Sequence, residues 1–225
     1  MNKPIFSFKN LKFKKNNNLL LDIRKFDIHR GSCYMFYGDM GSGKSLILDI
    51  MTKRVSRYKG QVLYDNDDLK KISNRTYKKD FAMVAQQSKK PFFGNVYDYI
   101  YKYVLSKNKK DKASKYTDSI ISKMNLKYIK SKKIRSLTPN QFRWVDLSSK
   151  IAANTKVLFI DEIDTCFGKQ RLKVLSKILY RKCNYDGITL VATCSDFQNF
   201  TNLTSVLISI KNGRISSIRS KNKKK

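Results

Sequence analysis

Apolar residues recur along the chain with several distinct spacings, and each predicts a different element. In residues 5–14, Ile5, Phe8, Leu11 and Phe13 alternate loosely with polar neighbours, as an edge strand would. A turn at Asn16-Asn17-Asn18 leads into a second strand over 19–28. Residues 32–37 (Ser-Cys-Tyr-Met-Phe-Tyr) form a short, largely apolar run between Gly31 and Gly38, which predicts a buried strand, and 45–51 switch to helical spacing. Short strands follow over 61–64 and 81–85. From about 95 to 135 the pattern is helical and very basic, with 108–115 read as a solvated loop or helix start rather than a nucleic-acid arm. A helix over 138–151 opens with a capping box: Thr138 is the cap, Pro139 takes the first helical position and Gln141 lies three residues on. Then come a buried strand over 156–160, a helix near 170–181 and a strand over 188–192. A hairpin over 205–218 turns at Asn212-Gly213, and 219–225 read as a disordered basic tail. No internal repeat is present. Strands alternating with helices predict a mostly parallel sheet flanked by helices.

The length, 225 residues, suits one α/β domain with room for an inserted subdomain. Charge changes the picture more. With 48 Lys+Arg against 17 Asp+Glu, the net charge is +31, which admits nucleic acid or a phospholipid surface as partner. Lys, Asn, Ile, Tyr and Phe are abundant together, so the compositional drift of an AT-rich genome is weighted above a selected anionic partner. Cys33, Cys166, Cys183 and Cys194 lie far apart without a C-x-x-C pair and read as buried thiols in a reducing compartment. No apolar run reaches the roughly 18–20 residues that span a bilayer, and the N-terminus has no signal-peptide core. A soluble or peripheral protein is expected, in a bacterial cytoplasm or an organelle interior.

The strongest chemical signal is the run Gly38-Asp39-Met40-Gly41-Ser42-Gly43-Lys44-Ser45, a full match to G-x-x-x-x-G-K-[ST] between a strand and a helix. Its glycines let backbone N–H groups converge on phosphate oxygens at the positive end of a helix. Lys44 would reach the β- and γ-phosphates and Ser45 would hold Mg²⁺, so a bound nucleoside triphosphate, ATP in particular, is expected. A second signal comes 117 residues after Lys44, where the apolar strand ends in Asp161-Glu162. Asp161 suits Mg²⁺ binding and Glu162 the polarisation of an attacking water. The lone histidine, His29, lies before the phosphate loop and reads as structural.

With these motifs the chain resembles the ATP-binding-cassette (ABC) ATPases from about residue 5 to 218. The stretch 81–87 (Phe-Ala-Met-Val-Ala-Gln-Gln) resembles that family's glutamine loop, which makes Gln86 the sensor of Mg²⁺ and attacking water. Leu137-Thr138-Pro139-Asn140-Gln141 resembles a degraded Leu-Ser-Gly-Gly-Gln signature, and its leucine precedes Asp161 by 24 residues, the family's ungapped spacing. The resemblance implies a single P-loop ATPase domain over 1–218. It would carry N-terminal antiparallel strands, an inserted helical subdomain over about 95–152, and a C-terminal hairpin at Asn212-Gly213-Arg214-Ile215. It also implies a dimer, homo- or heteromeric, in which Thr138, Asn140 and Gln141 of one subunit face the ATP of the other.

The chain also departs from the family. Pro139 removes one N–H and, with Asn140, fills space that glycines leave open. The family's Thr-His-Asp corresponds to Cys194-Ser195-Asp196, so Ser195 stands at the switch histidine's position. Gly168 replaces a dimer-linking aspartate. The base-stacking aromatic falls on Lys15 in strict register, with Phe13 nearby. Tight ATP binding with slow turnover is expected unless an intact partner subunit supplies the opposite half. The expected function is the ATPase subunit of an ABC transporter, peripheral on the inner face of a membrane, serving a separately encoded permease through the aromatic region around Phe92, Phe93, Tyr97, Tyr99, Tyr101 and Tyr103. The alternatives are a soluble ABC protein acting on nucleic acid or the ribosome, and a regulatory ATP-binding subunit with little hydrolysis.

Overall fold

The computed structural model describes residues 3–106 and 110–221. Two sheets organise the chain. The first is antiparallel, ordered β2-β1-β4-β5, from β1 (Pro4–Lys15), β2 (Asn18–His29), β4 (Lys59–Tyr64) and the short β5 (Asp67–Asp68). The second is ordered β10-β9-β3-β8-β7-β6, from β3 (Cys33–Tyr37), β6 (Phe81–Val84), β7 (Val157–Ile160), β8 (Thr189–Cys194), β9 (Val206–Lys211) and β10 (Arg214–Ser220). All its pairings are parallel except the β9–β10 hairpin. The helices are α1 (Lys44–Met51), a single turn α2 (Asn74–Tyr77), α3 (Val96–Leu105), α4 (Lys110–Lys123), α5 (Pro139–Ala152) and α6 (Lys169–Asn184).

The parallel strands are covered on both faces, which is why they read as continuous apolar runs. Their residues alternate between two cores. Cys33, Met35, Leu158, Ile160, Leu190 and Ala192 face a core shared with α3, α4, α5 and α6. Tyr34, Phe36, Val157, Phe159 and Val191 face a second core, with α1 and the antiparallel sheet. The phosphate-loop helix and the inserted helices therefore lie on opposite faces of the same sheet.

Three expectations are corrected. β1 is central in its sheet, because β4 pairs along its free side. That pairing bulges between Lys9 and Lys12, where a Cβ on Gly60 would stand 2.1 Å from the Asn10 carbonyl oxygen, so glycine permits the approach. The tail is shorter than expected: Arg219 and Ser220 complete β10, paired to Leu207 and Val206, and only 222–225 fall outside the described residues. Cys166 is exposed, in contrast to the buried Cys33, Cys183 and Cys194. Burial pushes the Cys33 and Cys194 thiols up, and that of Cys183 up to about 12. Within the basic stretch 108–115, α4 starts at Lys110 and 107–109 lie outside the described residues.

Candidate nucleotide site

The carboxyl ends of β3, β7 and β8 meet at one point, and the sequence-predicted residues converge there from separate parts of the chain. The phosphate loop leaves β3 and enters α1 through Gly38, Gly41 and Gly43, at φ +152°, +77° and +103°. A Cβ at Gly38 would lie 2.3 Å from the Ile210 carbonyl oxygen, so this position is closed to any side chain. The tip of the β9–β10 hairpin braces the loop, with Gly213 N–H donating to the Ser42 carbonyl (2.9 Å) and Asp22 N–H to the Gly213 carbonyl (2.8 Å). Lys44 is 7% exposed, and its Nζ donates to the carbonyls of Gly38 (2.7 Å) and Asp39 (2.8 Å), which centres the ammonium inside the loop.

β7 brings Asp161 to the first turn of α1. Ser45 Oγ donates to Asp161 Oδ1 at 2.9 Å, so a hydroxyl and a carboxylate oxygen share one position at the loop's base. The strand between them, β8, supplies Thr193, which sequence reasoning did not single out. Its buried Oγ1 donates to the same Asp161 oxygen at 2.6 Å and accepts the Glu162 N–H at 2.7 Å. Asp49, one turn along α1, feels the site: burial raises its carboxyl pKa, Arg54 opposes that, and Asp161 adds to it.

Glu162 has φ +48°, a left-handed conformation that costs a non-glycine residue about 1–3 kcal/mol. The surroundings hold it there. Besides Thr193 on its N–H, its carbonyl accepts from Arg143 Nη2 (2.8 Å) and Thr165 Oγ1 (3.0 Å). Its carboxylate points to Gln86, whose Nε2 donates to Glu162 Oε2 at 2.9 Å. Gln86 and Glu162, 76 positions apart, thus form one pair at the mouth of the loop.

Among the described residues, the other predicted ones make no hydrogen bond to this cluster. Thr138 and Gln141 form the expected capping box: Thr138 Oγ1 accepts the Gln141 N–H (3.2 Å) and Gln141 Oε1 accepts the Thr138 N–H (3.0 Å). Both spend these bonds within the cap, with Asn140 exposed beside them. Ser195 is also exposed, and its backbone N–H, like that of Asp196, donates to Asp164 Oδ2, at 2.9 and 2.8 Å. The serine side chain is left to face solvent at the end of β8. Phe13 packs against the core under the antiparallel sheet. Met40, in the loop, is 96% exposed; Leu19 and Leu20 are also exposed, the Leu20 carbonyl lying against Gly43.

A groove of about 1020 Å³ opens elsewhere, between β6 with α2 on one side and α3 with α5 on the other. Lys53, Lys78, Lys79, Lys102 and Lys150 line it, and among the described residues no carboxylate does. Of the aromatic residues expected at the permease contact, Phe92 and Phe93 are 67% and 83% exposed and line a separate pocket with Asp98 and Arg135, whereas the tyrosines of α3 pack against the core. Tyr99 donates to the buried Asp146 of α5 (2.7 Å), and burial together with that carboxylate raises its pKa. Ser88, just beyond Gln87, donates to the other Asp146 oxygen at 2.7 Å.

A family profile described as "ABC transporter" matches residues 21–165. The cytochrome c biogenesis ATP-binding export protein CcmA of Reclinomonas americana is 25% identical over 81% of each chain. The probable iron export ATP-binding protein FetA of Escherichia coli is 20% identical over 92% of this chain and 91% of its own. Among solved structures, the dimeric cassette MJ0796 with ADP and phosphate superposes with a TM-score of 0.83 at 18% identity, over 96% and 98% of the two chains. The cbiO1 subunit of Clostridium perfringens gives 0.81 at 19% identity, over 97% of this chain and 89% of that one. Since the profile spans well over half its length, the chain belongs to the ABC transporter family, with the fold of that family's ATP-binding cassettes.

Proposed function

We propose that the chain is the ATP-hydrolysing subunit of an ABC transporter, acting as a dimer beneath a separately encoded permease. The observation that carries this reading is the convergence of Lys44, Ser45, Asp161, Glu162 and Gln86 on one loop mouth, through the bonds Ser45–Asp161 and Gln86–Glu162. The loop N–H groups from Gly38 to Ser45 grip the β- and γ-phosphates, with Lys44 neutralising their charge. Glu162 takes the proton of the attacking water, and Gln86 orients that water through its amide.

The site fits Mg²⁺. One hydroxyl and one carboxylate oxygen already meet, and among the described residues no group of three or more His, Cys, Asp and Glu gathers as a metal cage. Ser45 and Asp161 would hold the cation, a hydroxyl and a carboxylate oxygen of the kind that suits Mg²⁺, and Gln86 is assigned to sense it. Bound there, Mg²⁺ would neutralise charge developing on the phosphate oxygens.

In the dimer, Thr138, Asn140 and Gln141 at the N-terminus of α5 face the partner's ATP. The whole of 1–218 acts as one domain, with the helices of 95–152 as its inserted subdomain. The lysine-lined groove receives a cytoplasmic segment of the permease whose exposed face is acidic, and the exposed Phe92–Phe93 pair offers a separate apolar contact. Co-purification from detergent-solubilised membranes tests this: a multi-spanning protein is expected with the chain, and ATPase activity should rise in the complex. Recovery only in the soluble fraction, with salt-dependent nucleic-acid binding, would reject the permease in favour of a soluble role.

Slow turnover, unless an intact partner subunit supplies the opposite half, is expected from Ser195. It offers no charged donor near neutral pH, where a histidine would. Ser195→His is expected to raise single-turnover phosphate release by about 10-fold or more, because the Asp164 bond fixes the backbone and leaves the side chain free. An unchanged rate would place the limit elsewhere.

A further inference from the structure

Arg143, on the second turn of α5, carries a buried guanidinium with an unusual set of acceptors. It is 6% exposed and bonds to four backbone carbonyls. Nη1 donates to Ala85 (3.0 Å) and Gln86, and Nη2 to Asp161 (2.7 Å) and Glu162 (2.8 Å). Its buried Nε has no partner. Among the described residues no carboxylate bonds to the charge; four carbonyl dipoles hold it, with the Phe167 ring 6.0 Å away, an arrangement that only a planar fork with several donors can make.

Those four carbonyls belong to the ends of two adjacent strands, β6 and β7, and the residues include Gln86 and Glu162 themselves. Thr193 fixes the N–H side of the strained Glu162, and Arg143 fixes its carbonyl side. The same helix reaches the glutamine segment again three residues on, where Asp146 accepts from Ser88. The N-terminus of α5 is the Thr138 cap. A shift of α5 is thus passed to Gln86 and Glu162 together.

We infer that Arg143 is the positioning residue of the hydrolytic pair: its fork sets the separation of Gln86 from Glu162 and ties both to the helix that bears Thr138. This rests on Glu162 being the base, as proposed above. Arg143 bonds to no residue of the phosphate loop and meets Asp161 only at its backbone carbonyl, leaving the carboxylate to Ser45 and Thr193, so its removal acts first on the hydrolytic step and largely spares the grip on ATP.

The test uses Arg143→Lys, which keeps the charge and most of the volume but cannot span both strand ends, and Arg143→Ala, with Glu162→Gln as control. Single-turnover hydrolysis with protein in excess, ATP affinity and melting temperature are measured for each. Both Arg143 variants should lose about 10²-fold in rate, with ATP affinity within about threefold of wild type. Guanidinium ion should restore part of the rate in Arg143→Ala and none in Arg143→Lys. If the Ala variant does not fold, the Lys variant decides. Arg143→Lys hydrolysing at the wild-type rate while Glu162→Gln is inactive overturns this inference alone. Rate and ATP affinity falling in parallel also overturns it, since that marks a collapse of the whole site. If Glu162→Gln hydrolyses like wild type, the assignment of the base fails and takes the inference with it.

Discussion

Glu162→Gln should lower ATP hydrolysis by about 10²–10⁴-fold, the usual range for a lost general base, while ATP binding persists. The substitution is close to isosteric and keeps an acceptor for Gln86 Nε2, which lies 2.9 Å from Oε2. Its backbone anchors, the Thr193 hydroxyl on the N–H and Arg143 on the carbonyl, do not involve the carboxylate at all. The φ of +48° is therefore retained and only the proton acceptor is lost. The phosphate loop, Ser45 and Asp161 remain as they are, so ATP and Mg²⁺ should bind as in wild type. Single-turnover phosphate release beside equilibrium ATP binding separates the two effects. If two chains sandwich the nucleotide, the variant should also accumulate as an ATP-dependent dimer on gel filtration. Hydrolysis at the wild-type rate would mean that another group, or a contaminating enzyme, performs the reaction.

Much of this site was legible before any coordinates because its residues must stand at fixed local spacings. Glycines at 38, 41 and 43 are demanded by positive φ and by the Ile210 carbonyl. An apolar strand ending in Asp161-Glu162 follows from β7 being buried on both faces. The capping box at Thr138 and the turn at Asn212-Gly213 are equally local, and the structure has both. The residues that sequence reasoning missed act through tertiary contacts. Thr193 reads as one of two threonines in an otherwise apolar strand, and its value depends on β8 lying between β3 and β7. Arg143 sits among ten buried residues of a 14-residue helix. The helix also carries Asp146 and Lys150, and the chain holds 48 Lys+Arg in all, so no sequence signal set Arg143 apart. The central place of β1 was hidden for a different reason: which strand pairs with its free side is decided by the distant Gly60.

The largest effect on binding is expected from Lys44→Ala. The ammonium is 7% exposed and held by the Gly38 and Asp39 carbonyls at 2.7 and 2.8 Å, which point it across the mouth of the loop. A charge-assisted bond of this kind is worth about 1.5–3 kcal/mol, and Lys44 faces two phosphates. ATP affinity should therefore fall by at least about 10²-fold. Fold stability should change far less, because the two freed carbonyls lie at the loop mouth where water reaches them. Thermal unfolding reads both quantities in one experiment. At ATP one hundred times the wild-type Kd, the nucleotide stabilises wild type by about 2.7 kcal/mol. A variant binding about 10²-fold more weakly is stabilised by only RT ln 2, about 0.4 kcal/mol, at the same concentration. The ligand-free melting temperatures should nearly coincide. Lys44→Arg should restore little of the lost affinity, since a planar fork does not replace a compact ammonium inside so close a loop. An unchanged ATP-induced shift in Lys44→Ala would remove the phosphate loop from the nucleotide site, and the assignments of Ser45 and Asp161 would fall with it.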